Sequence, residues 1–242
     1  VEKAIAAYLS DLVRDGDTIC IGFGNPSGSA VRLGAFDNKI DLGYHGEMAT
    51  RGLAKLVEKG VITGKHKPLH KGKAVVSAWL GLWEDEMDYI NGNPLFEAYE
   101  TNYMLDVKTL ISLDNFVAIN NSLSIDLTGQ INSESVLGPR LMNGMGGQAE
   151  LSIGSVLAGH GRSVNCMPST ALGGAVSRIV PMLEEGSLVT IPRYLADHVV
   201  TEYGVARLFG KTIRQRAEEL IAIAHPDFRG ELKAQAKKLF YC

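Results

Sequence analysis

The fold is decided near the start of the chain, where residues 18–28 read Thr18-Ile19-Cys20-Ile21-Gly22-Phe23-Gly24-Asn25-Pro26-Ser27-Gly28. The first four residues are apolar or β-branched and predict a buried strand, and the glycines that follow predict a turn. Upstream, apolar residues at positions 1, 4, 5, 8, 9, 12 and 13 have helical spacing, so we expect a helix over residues 1–14. A short helix is expected after the turn, at residues 30–35. This stretch therefore predicts a helix–strand–turn–helix unit, which is typical of α/β proteins.

The same alternation continues along the rest of the chain. We expect further strands at residues 41–44, 74–80, 164–167, 188–191, 199–201 and 205–208, and two paired strands at 116–120 and 123–127. Helices are expected at residues 49–59, 83–90, 212–224 and 230–240. The alternation predicts an α/β fold with an open, largely parallel sheet and helices on both faces. No linker or repeat interrupts the pattern, so we expect one domain over residues 1–242.

Composition limits the possible functions. The chain has 242 residues, 45% of them hydrophobic, which is enough to bury a full core. Its net charge is −3, from 24 basic and 27 acidic residues, and predicts neither nucleic-acid nor membrane binding. Cys20, Cys166 and Cys242 are widely spaced, and an odd number without CxxC indicates no disulfide framework and no zinc site. We expect a cytoplasmic protein whose activity requires no metal.

Several short motifs occur in one order across nearly the whole chain. They are LGYHGEM (42–48), GVIT (60–63) with LHKG (69–72), IDLTGQIN (125–132), NGMGGQ (143–148), PSTA (168–171), SRIVP (177–181) and VTEYGVA (200–206), the last continuing to residue 229. Together they resemble the acetyl-CoA hydrolase/transferase family of CoA-transferases, which includes acetate, butyrate, succinate and 4-hydroxybutyrate CoA-transferases. Any one motif is weak, but the ordered set is specific.

The resemblance implies a fold, substrates and a partner. Family members have two similar α/β halves of the ribose-5-phosphate-isomerase-like CoA-transferase kind. This chain resembles the C-terminal catalytic half, and the N-terminal half is absent from it. The implied substrates are an acyl-CoA and a small carboxylic acid, with coenzyme A as the group that moves. The implied partner is the missing N-terminal half or a further copy of the chain, because the family's site lies between the two halves.

Glu47 in LGYHGEM matches the catalytic glutamate of the family. A carboxylate can attack an acyl thioester to give a mixed anhydride, and the CoA thiolate can then return to form a glutamyl-CoA thioester. An incoming acid reverses these steps and leaves as a new acyl-CoA. The alternative interpretation is a solvated glutamate at a helix start, where negative charge is favoured.

Two glycine loops flank this glutamate in the proposed site. Backbone amides in such loops can hold a phosphate or a developing oxyanion. The resemblance implies that coenzyme A is bound by Gly22, Phe23, Gly24, Asn25 and Pro26 in the first loop and by Gly144, Met145 and Gly147 in the second. Gly146 is our choice for the catalytic oxyanion donor, with Gly144 second. For either loop, the alternative interpretation is a turn that connects two elements and binds nothing.

Other residues invite functional interpretations that we do not favour. We expect His45 to shape its loop, because acyl transfer to a carboxylate needs no base. We expect Glu202 to have a structural role, or to hold residues of the site without contacting the substrate itself. The basic run at residues 65–73 is expected to be a solvated face, with contact to CoA phosphates as the alternative. Relatives often have a lysine after PSTA, where this chain has Leu172, so a CoA contact there is doubtful.

There are three alternatives to a transferase, and the first two stay open at this point. Water could attack the same intermediate, which would make the protein an acyl-CoA hydrolase. The chain could also be a non-catalytic, CoA-binding half-enzyme. A nicotinamide dehydrogenase is disfavoured, because residues 22–28 lack the GxGxxG spacing and only Asp41 lies near the position of the required acid.

Overall fold

A computed structural model describes residues 1–240. Its helices are α1 Glu2–Leu12, α2 Ser27–Arg32, α3 Leu53–Glu58, α4 Glu84–Ile90, α5 Thr101–Met104, α6 Val107–Ile111, α7 Gln148–Leu157, α8 Ile213–Ala222 and α9 Pro226–Phe240. Its strands are β1 Thr18–Ile21, β2 Gly43–Met48, β3 Ala74–Ala78, β4 Phe96–Ala98, β5 Phe116–Asn121, β6 Ser124–Asp126, β7 Ile131–Asn132, β8 Ser135–Val136, β9 Arg140–Leu141, β10 Arg162–Cys166, β11 Thr170–Ala171, β12 Val176–Ser177, β13 Ile179–Val180, β14 His198–Thr201 and β15 Gly204–Arg207.

Eight strands form the main sheet, in the order β15-β14-β10-β5-β1-β2-β3-β4. All neighbouring pairs are parallel except β14 and β15, which form an antiparallel hairpin at one edge. Ile19 and Ile21 face a core that includes Ile5 and Leu9 of α1, whereas Cys20 faces Leu110 of α6. Successive residues of a strand point to opposite faces, so both faces of the sheet are covered by helices. The predicted α/β fold is confirmed.

The strand order reverses at β1. From this strand, β2, β3 and β4 follow on one side and β5, β10 and β14 on the other. In open α/β sheets, ligands bind in the crevice outside the carboxyl ends of the strands at such a switch point. The turn after β1 and the end of β2 both lie at this point.

The segment at residues 116–127 differs from its expected pairing. β5 lies inside the main sheet between β1 and β10, whereas β6 pairs with β7 and β13 in a separate three-stranded sheet. Asp126 accounts for the separation, because its carboxylate accepts backbone N–H bonds from Thr128 and Gly129 and turns the chain back into β7. The strand expected at residues 188–191 is also wrong, since only Ile191 makes a single bridge there, to Ile131.

The second strand is longer than expected, and this changes the surroundings of Glu47. β2 ends at Met48, so Glu47 lies at a strand end and not at a helix start. Gly43 and Gly46 made this segment look unlike a strand in the sequence, but both positions are too crowded for a side chain. A Cβ at Gly43 would lie 2.6 Å from Cγ of Lys67, and one at Gly46 would lie 3.2 Å from Sγ of Cys20. Tertiary packing therefore overrides the low strand propensity of glycine here.

The expected solvated face at residues 65–73 is wrong for Lys67, which is 2% exposed. Its ammonium group donates to the carbonyl oxygens of Tyr44 at 2.8 Å and Lys73 at 2.9 Å. Cys20 and Cys166 are buried free thiols, and Cys242 lies outside the described residues. Within residues 1–240, every helix is too short or too polar to cross a bilayer.

Candidate active site

A cavity of about 550 Å³ opens at the carboxyl ends of β1, β2 and β5, where the strand order reverses. It is bounded by the turn after β1, the end of β2, the end of β5 and the loop that leads into α7. Its charged lining residues are Glu47, Glu134 and Arg178. Its polar and glycine lining residues include Gly22, Gly24, Asn25, Asn120, Asn121, Ser122, Ser133, Asn143, Gly144, Gly146, Gly147, Gln148 and Thr190.

The carboxylate of Glu47 meets the second glycine loop inside this cavity. The backbone N–H of Gly147 donates to Oε2 of Glu47 at 2.9 Å, across 100 residues of sequence. Gly147 is the N-cap of α7, so the carboxylate lies at the positive end of a ten-residue helix. Glu47 itself is half-buried and lines the cavity, so one oxygen is held while the side chain stays accessible to a ligand.

Glycine is required at position 147 for this contact. A Cβ there would lie 2.9 Å from Oε2 of Glu47 and 2.5 Å from Cδ2 of Leu105. A Cβ at Gly146 would lie 3.7 Å from the same carboxylate oxygen, while one at Gly144 would meet nothing within 4 Å. The amide that contacts the carboxylate is thus that of Gly147, and Gly146 is adjacent to it.

The first glycine loop is held from β5 by Asn121. Oδ1 of Asn121 accepts the N–H of Ser27 at 2.9 Å, and its Nδ2 donates to the carbonyl of Phe23 at 2.9 Å. The hydroxyl of Ser27 also donates to the carbonyl of Gly22 at 2.8 Å. A Cβ at Gly22 would lie 2.8 Å from Oδ1 of Asn120, so this turn requires glycine for close approach to β5.

The structure brings most of the ten predicted site residues together. The cavity is lined by Gly22, Phe23, Gly24, Asn25, Glu47, Gly144, Gly146 and Gly147. Pro26 does not line it and is the N-cap of α2, after a cis Asn25–Pro26 peptide bond. Met145 also lies outside the lining, and its side chain is 91% exposed.

Two residues that could suggest acid–base chemistry lie outside the cavity lining. His45 is fully buried, and its Nε2 lies 3.2 Å from the carbonyl of Met104. Burial lowers the pKa of His45 to about 3, so the ring is neutral at physiological pH. Glu202 accepts the N–H and the hydroxyl of Ser169 at 2.8 and 2.7 Å, and so fixes the loop that begins the PSTA motif.

Cys20 is also part of the cavity lining, close enough for the charge of Glu47 to act on it, but its buried thiol is a poor nucleophile. Burial raises the pKa of its thiol to about 12, and the nearby charge of Glu47 acts in the same direction. The thiolate, which is the reactive form, is therefore scarce at neutral pH. Among residues 1–240, no group of three or more His, Cys, Asp or Glu side chains is arranged to hold a metal ion.

The sequence analysis missed several polar residues of the cavity. Asn120 and Asn121 end β5, Gln148 begins α7, and Glu134 and Arg178 come from the segments beside the three-stranded sheet. Gln148 donates to the carbonyl of Asn121 at 3.2 Å and so ties the second glycine loop to β5. The Asn120-Asn121 pair could have been identified from the sequence, because it lies at the end of an apolar strand and at the same sheet edge as the turn at Gly22.

Comparison with known proteins gives consistent results. Residues 84–236 match the family described as acetyl-CoA hydrolase/transferase C-terminal domain. The 4-hydroxybutyrate coenzyme A transferase of Clostridium kluyveri is 43% identical over 240 residues, which cover 99% of this chain and 55% of that protein. RipA from Yersinia pestis has a similar structure, with a TM-score of 0.92 and 36% identity over 100% of this chain and 53% of that one. A 4-hydroxybutyrate CoA-transferase structure from Porphyromonas gingivalis gives a TM-score of 0.84 at 38% identity, over 99% of this chain and 56% of that one. The chain thus spans about half the length of the relatives it matches.

Proposed function

The chain belongs to the acetyl-CoA hydrolase/transferase family, and on that premise we propose that it is the catalytic half of an acyl-CoA:carboxylate CoA-transferase. Its substrates are an acyl-CoA and a small carboxylic acid. Residues 1–242 form the C-terminal catalytic domain of this enzyme, and Glu47 is its nucleophile.

The proposed reaction is a sequence of acyl and thioester exchanges at Glu47. A carboxylate oxygen of Glu47 attacks the thioester carbonyl and expels the CoA thiolate, which leaves an acyl-glutamyl anhydride. The thiolate then attacks Cδ of Glu47, releases the first carboxylic acid as its carboxylate, and forms a glutamyl-CoA thioester. The second carboxylate attacks the same Cδ, and the expelled thiolate takes the new acyl group. Glu47 returns as a free carboxylate, and no net oxidation or proton change occurs.

Each tetrahedral intermediate in this sequence carries a negative oxygen. We assign its stabilisation to the amide of Gly146, with that of Gly144 second, because both residues line the cavity and a Cβ at Gly146 would lie 3.7 Å from Oε2 of Glu47. Gly147 has a different part in the proposal, since its N–H holds Oε2 of the resting carboxylate and leaves the other oxygen to attack. Phe23, Asn25, Pro26 and Met145 are proposed to contact coenzyme A, together with Gly22, Gly24 and Gly147.

The single observation that carries this proposal is the position of Glu47. Its carboxylate is half-buried, accepts a backbone amide at a helix N-terminus, and lies in one cavity with both glycine loops. A solvated surface glutamate would show none of these features. The buried, protonated thiol of Cys20 leaves Glu47 as the better nucleophile of the cavity.

The decisive experiment looks for the covalent intermediate. The protein as its gene encodes it is incubated with acetyl-CoA, digested, and mapped by mass spectrometry, with borohydride reduction as a second readout. We expect an adduct of CoA less one water on the peptide that contains Glu47. Glu47→Gln should lose the adduct, whereas Glu134→Gln, which changes another carboxylate of the same cavity, should keep it. An adduct elsewhere, or one that survives in Glu47→Gln, would refute the assignment.

A hydrolase is the second candidate, because the family's own description includes both activities. The two differ only in whether water or a carboxylic acid attacks the glutamyl-CoA thioester. Labelled acetate separates them: a transferase moves the label into acetyl-CoA, whereas a hydrolase releases free CoA without doing so.

The third candidate function is a non-catalytic, CoA-binding half-enzyme, because the chain spans about half the length of its relatives. Large apolar side chains are exposed in the two glycine loops and directly after the PSTA motif, with Phe23 at 65%, Met145 at 91% and Leu172 at 81%. Exposed apolar surface of this kind is typical of an interaction site. We propose that it is covered by coenzyme A and by the N-terminal half or a further copy. If this chain alone forms no adduct but does so with that half added, the site requires both.

A further inference from the structure

Three positions of the cavity lie in one row across the main sheet: Glu47 on β2, Gly22 directly after β1, and Asn120 on β5. The register of β1 with β2, continued by three residues from Ile19, places Gly22 beside Glu47. The register of β1 with β5 places Gly22 beside Asn120, and the N–H of Gly22 donates to the carbonyl of Ile119 at 2.7 Å. Adjacent strands lie about 4.8 Å apart, so the Cα atoms of Glu47 and Asn120 are about 10 Å apart with only a glycine between them.

Both side chains stand on the face of the sheet that α7 covers. Ala118 of β5 packs in a cluster with Leu151 of α7, and Asn120 lies two residues further along the strand, so it points to the same face. Glu47 points there too, because its carboxylate accepts a backbone N–H at the start of α7. The space over Gly22 is therefore bounded by the carboxylate of Glu47 on one side and by the amide of Asn120 on the other.

The side-chain amide of Asn120 has a buried donor without a partner. Asn120 is 5% exposed, and its Nδ2 makes no hydrogen bond within residues 1–240. Its Oδ1 is the end that faces Gly22, because a Cβ there would lie 2.8 Å from this oxygen. Asn165 lies beside Asn120 on β10, and its Nδ2 is also buried and unpaired. The Oδ1 of Asn165 accepts a hydrogen bond from Nε2 of Gln148 at 2.9 Å, so the orientation of that amide is fixed.

A half-turn about the Cβ–Cγ bond of Asn120 exchanges the positions of its amide oxygen and nitrogen. Its Oδ1 then turns toward β10, where the unpaired Nδ2 of Asn165 is available to donate to it. Its own Nδ2 turns over Gly22 toward Glu47, and the half-turn breaks no side-chain hydrogen bond of Asn120 in the described part of the chain. One neutral donor then faces the cavity, and the ligand group that fits it is an acceptor between Asn120 and Glu47.

The proposed exchange produces one anion that has no assigned partner. Each cleavage of a CoA thioester at Glu47 expels the sulfur as a thiolate, and the same sulfur must stay close enough to attack the next carbon. The first glycine loop, residues 22–26, is proposed to contact CoA, and it leaves the sheet at Gly22, directly after β1. A CoA molecule that lies along this loop brings its sulfur to Glu47 over Gly22.

We propose that the side-chain amide of Asn120 binds the CoA thiolate over Gly22 while Glu47 is acylated. This inference rests on the proposed transferase function. Nδ2 donates an N–H to the sulfur and keeps its proton, so no covalent bond changes at Asn120, and the sulfur leaves when it attacks Cδ of Glu47. A neutral donor suits this part, because a fixed cation would bind the thiolate more strongly and oppose its return to the carbon. Asn165 is a positioning residue, since its donor holds the amide of Asn120 in this orientation.

The test measures the thiolate of bound CoA in the Glu47→Gln protein, otherwise as its gene encodes it. Glutamine removes the nucleophile and, like the acylated glutamate, has no charge. Ultraviolet absorption reports the ratio of thiolate to thiol from about pH 6 to 9. We expect the addition of Asn120→Leu, which keeps a similar shape without a donor, to lower this ratio about ten- to a hundredfold, as for a lost hydrogen bond to a charged group. Desulfo-CoA, which lacks the sulfur, should bind equally well with and without Asn120→Leu.

Asn93→Leu is the matched control, because Asn93 lies outside the cavity lining and both ends of its amide are bonded nearby, to Tyr89 and Leu95. It should leave the thiolate ratio unchanged. In the protein that retains Glu47, Asn120→Leu should lower transfer from acetyl-CoA to a labelled acid about tenfold or more. A larger share of the CoA should also appear free in solution, because a thiolate that is not held takes a proton from water and leaves while the anhydride hydrolyses.

An equal thiolate ratio with and without Asn120→Leu would overturn the inference while the transferase function stands. It would also be overturned if the substitution weakened the binding of desulfo-CoA and CoA equally, or if the Glu47→Gln protein bound no CoA. Loss of both transfer and adduct in wild type would instead reject the proposed function, and the thiolate ratio then still decides the role of Asn120. Circular dichroism identifies a variant that fails to fold, in which case Asn120→Ala carries the comparison.

Discussion

The replacement Gly147→Ala tests whether the contact between Glu47 and the start of α7 matters for catalysis. Gly147 has φ −77°, which alanine adopts without strain, so the added methyl group acts only through its contacts. It would lie 2.9 Å from Oε2 of Glu47 and 2.5 Å from Cδ2 of Leu105. Leu105 can change rotamer, so we expect a stability loss near the lower end of the usual overpacking range, about 1 kcal/mol.

The effect on the reaction should be larger than the effect on folding. The methyl group must displace the carboxylate of Glu47 by a few tenths of an ångström or more, and a shift of about 1 Å can cost about a hundredfold in rate. We therefore expect kcat for CoA transfer to fall by about ten- to a hundredfold. The assay is steady-state transfer from acetyl-CoA to an acid, with thermal unfolding measured on the same samples.

A second variant separates the two contacts. Adding Leu105→Ala to Gly147→Ala removes the apolar clash but leaves the methyl group against the carboxylate, so transfer should stay low although the clash with Leu105 is gone. Gly230→Ala is the control, because a Cβ there meets nothing within 4 Å and the site lies on α9. If Gly147→Ala retains kcat within about threefold of wild type, or if the double variant restores it, then the position of the carboxylate does not depend on this contact.

Three further predictions concern Glu47, Asn121 and the buried Lys67. Glu47→Gln should lower transfer by at least about a thousandfold with an unchanged melting temperature, and substantial remaining activity would reject the nucleophile. Asn121→Ala removes both bonds that hold the first glycine loop, to Ser27 and Phe23, so the KM for acyl-CoA should rise several-fold with about 1–3 kcal/mol of lost stability; an unchanged KM would show that the loop holds itself. Burial lowers the pKa of Lys67 from 10.5 to about 7, so between these values the unfolded chain binds more protons and stability rises with pH. Lys67→Met should remove up to about 1.4 kcal/mol per pH unit of that slope in denaturant titrations between pH 7.5 and 10, and an unaltered slope would contradict the burial of the ammonium.

The central part of the fold followed from local signals. The apolar run at residues 18–21 and the glycines after it gave β1 and its turn at their observed positions, because a buried parallel strand needs a continuous apolar run. Helix α7 was not predicted, because its sequence has no comparable local signal. Its buried face consists of Leu151, Ser152, Gly154 and Ser155, where small residues permit close packing against Leu110 but give almost no hydrophobic periodicity.

The residues that line the candidate cavity were predictable where a family motif identified them, and not where the fold alone brings them together. Glu47 and the glycine loops come from short recognisable segments, and the structure places eight of the ten predicted residues around one cavity. Asn121 is an ordinary polar residue in sequence, and its position in the cavity depends on which strands become neighbours. The pairing of β5 with β1 and β10 is a long-range property that residues 116–127 do not encode locally.

The hydrogen bond between Glu47 and Gly147 has a consequence for the newly made protein. Its two partners are separated by 100 residues, so a ribosome completes β2 well before it has made the amide that holds the carboxylate. Domains fold largely as units during synthesis, at about 5–20 residues per second. A nascent or truncated polypeptide that ends before α7 therefore carries the glutamate without its hydrogen-bond donor, and we expect it to be inert toward the thioesters of the cell until the helix has docked.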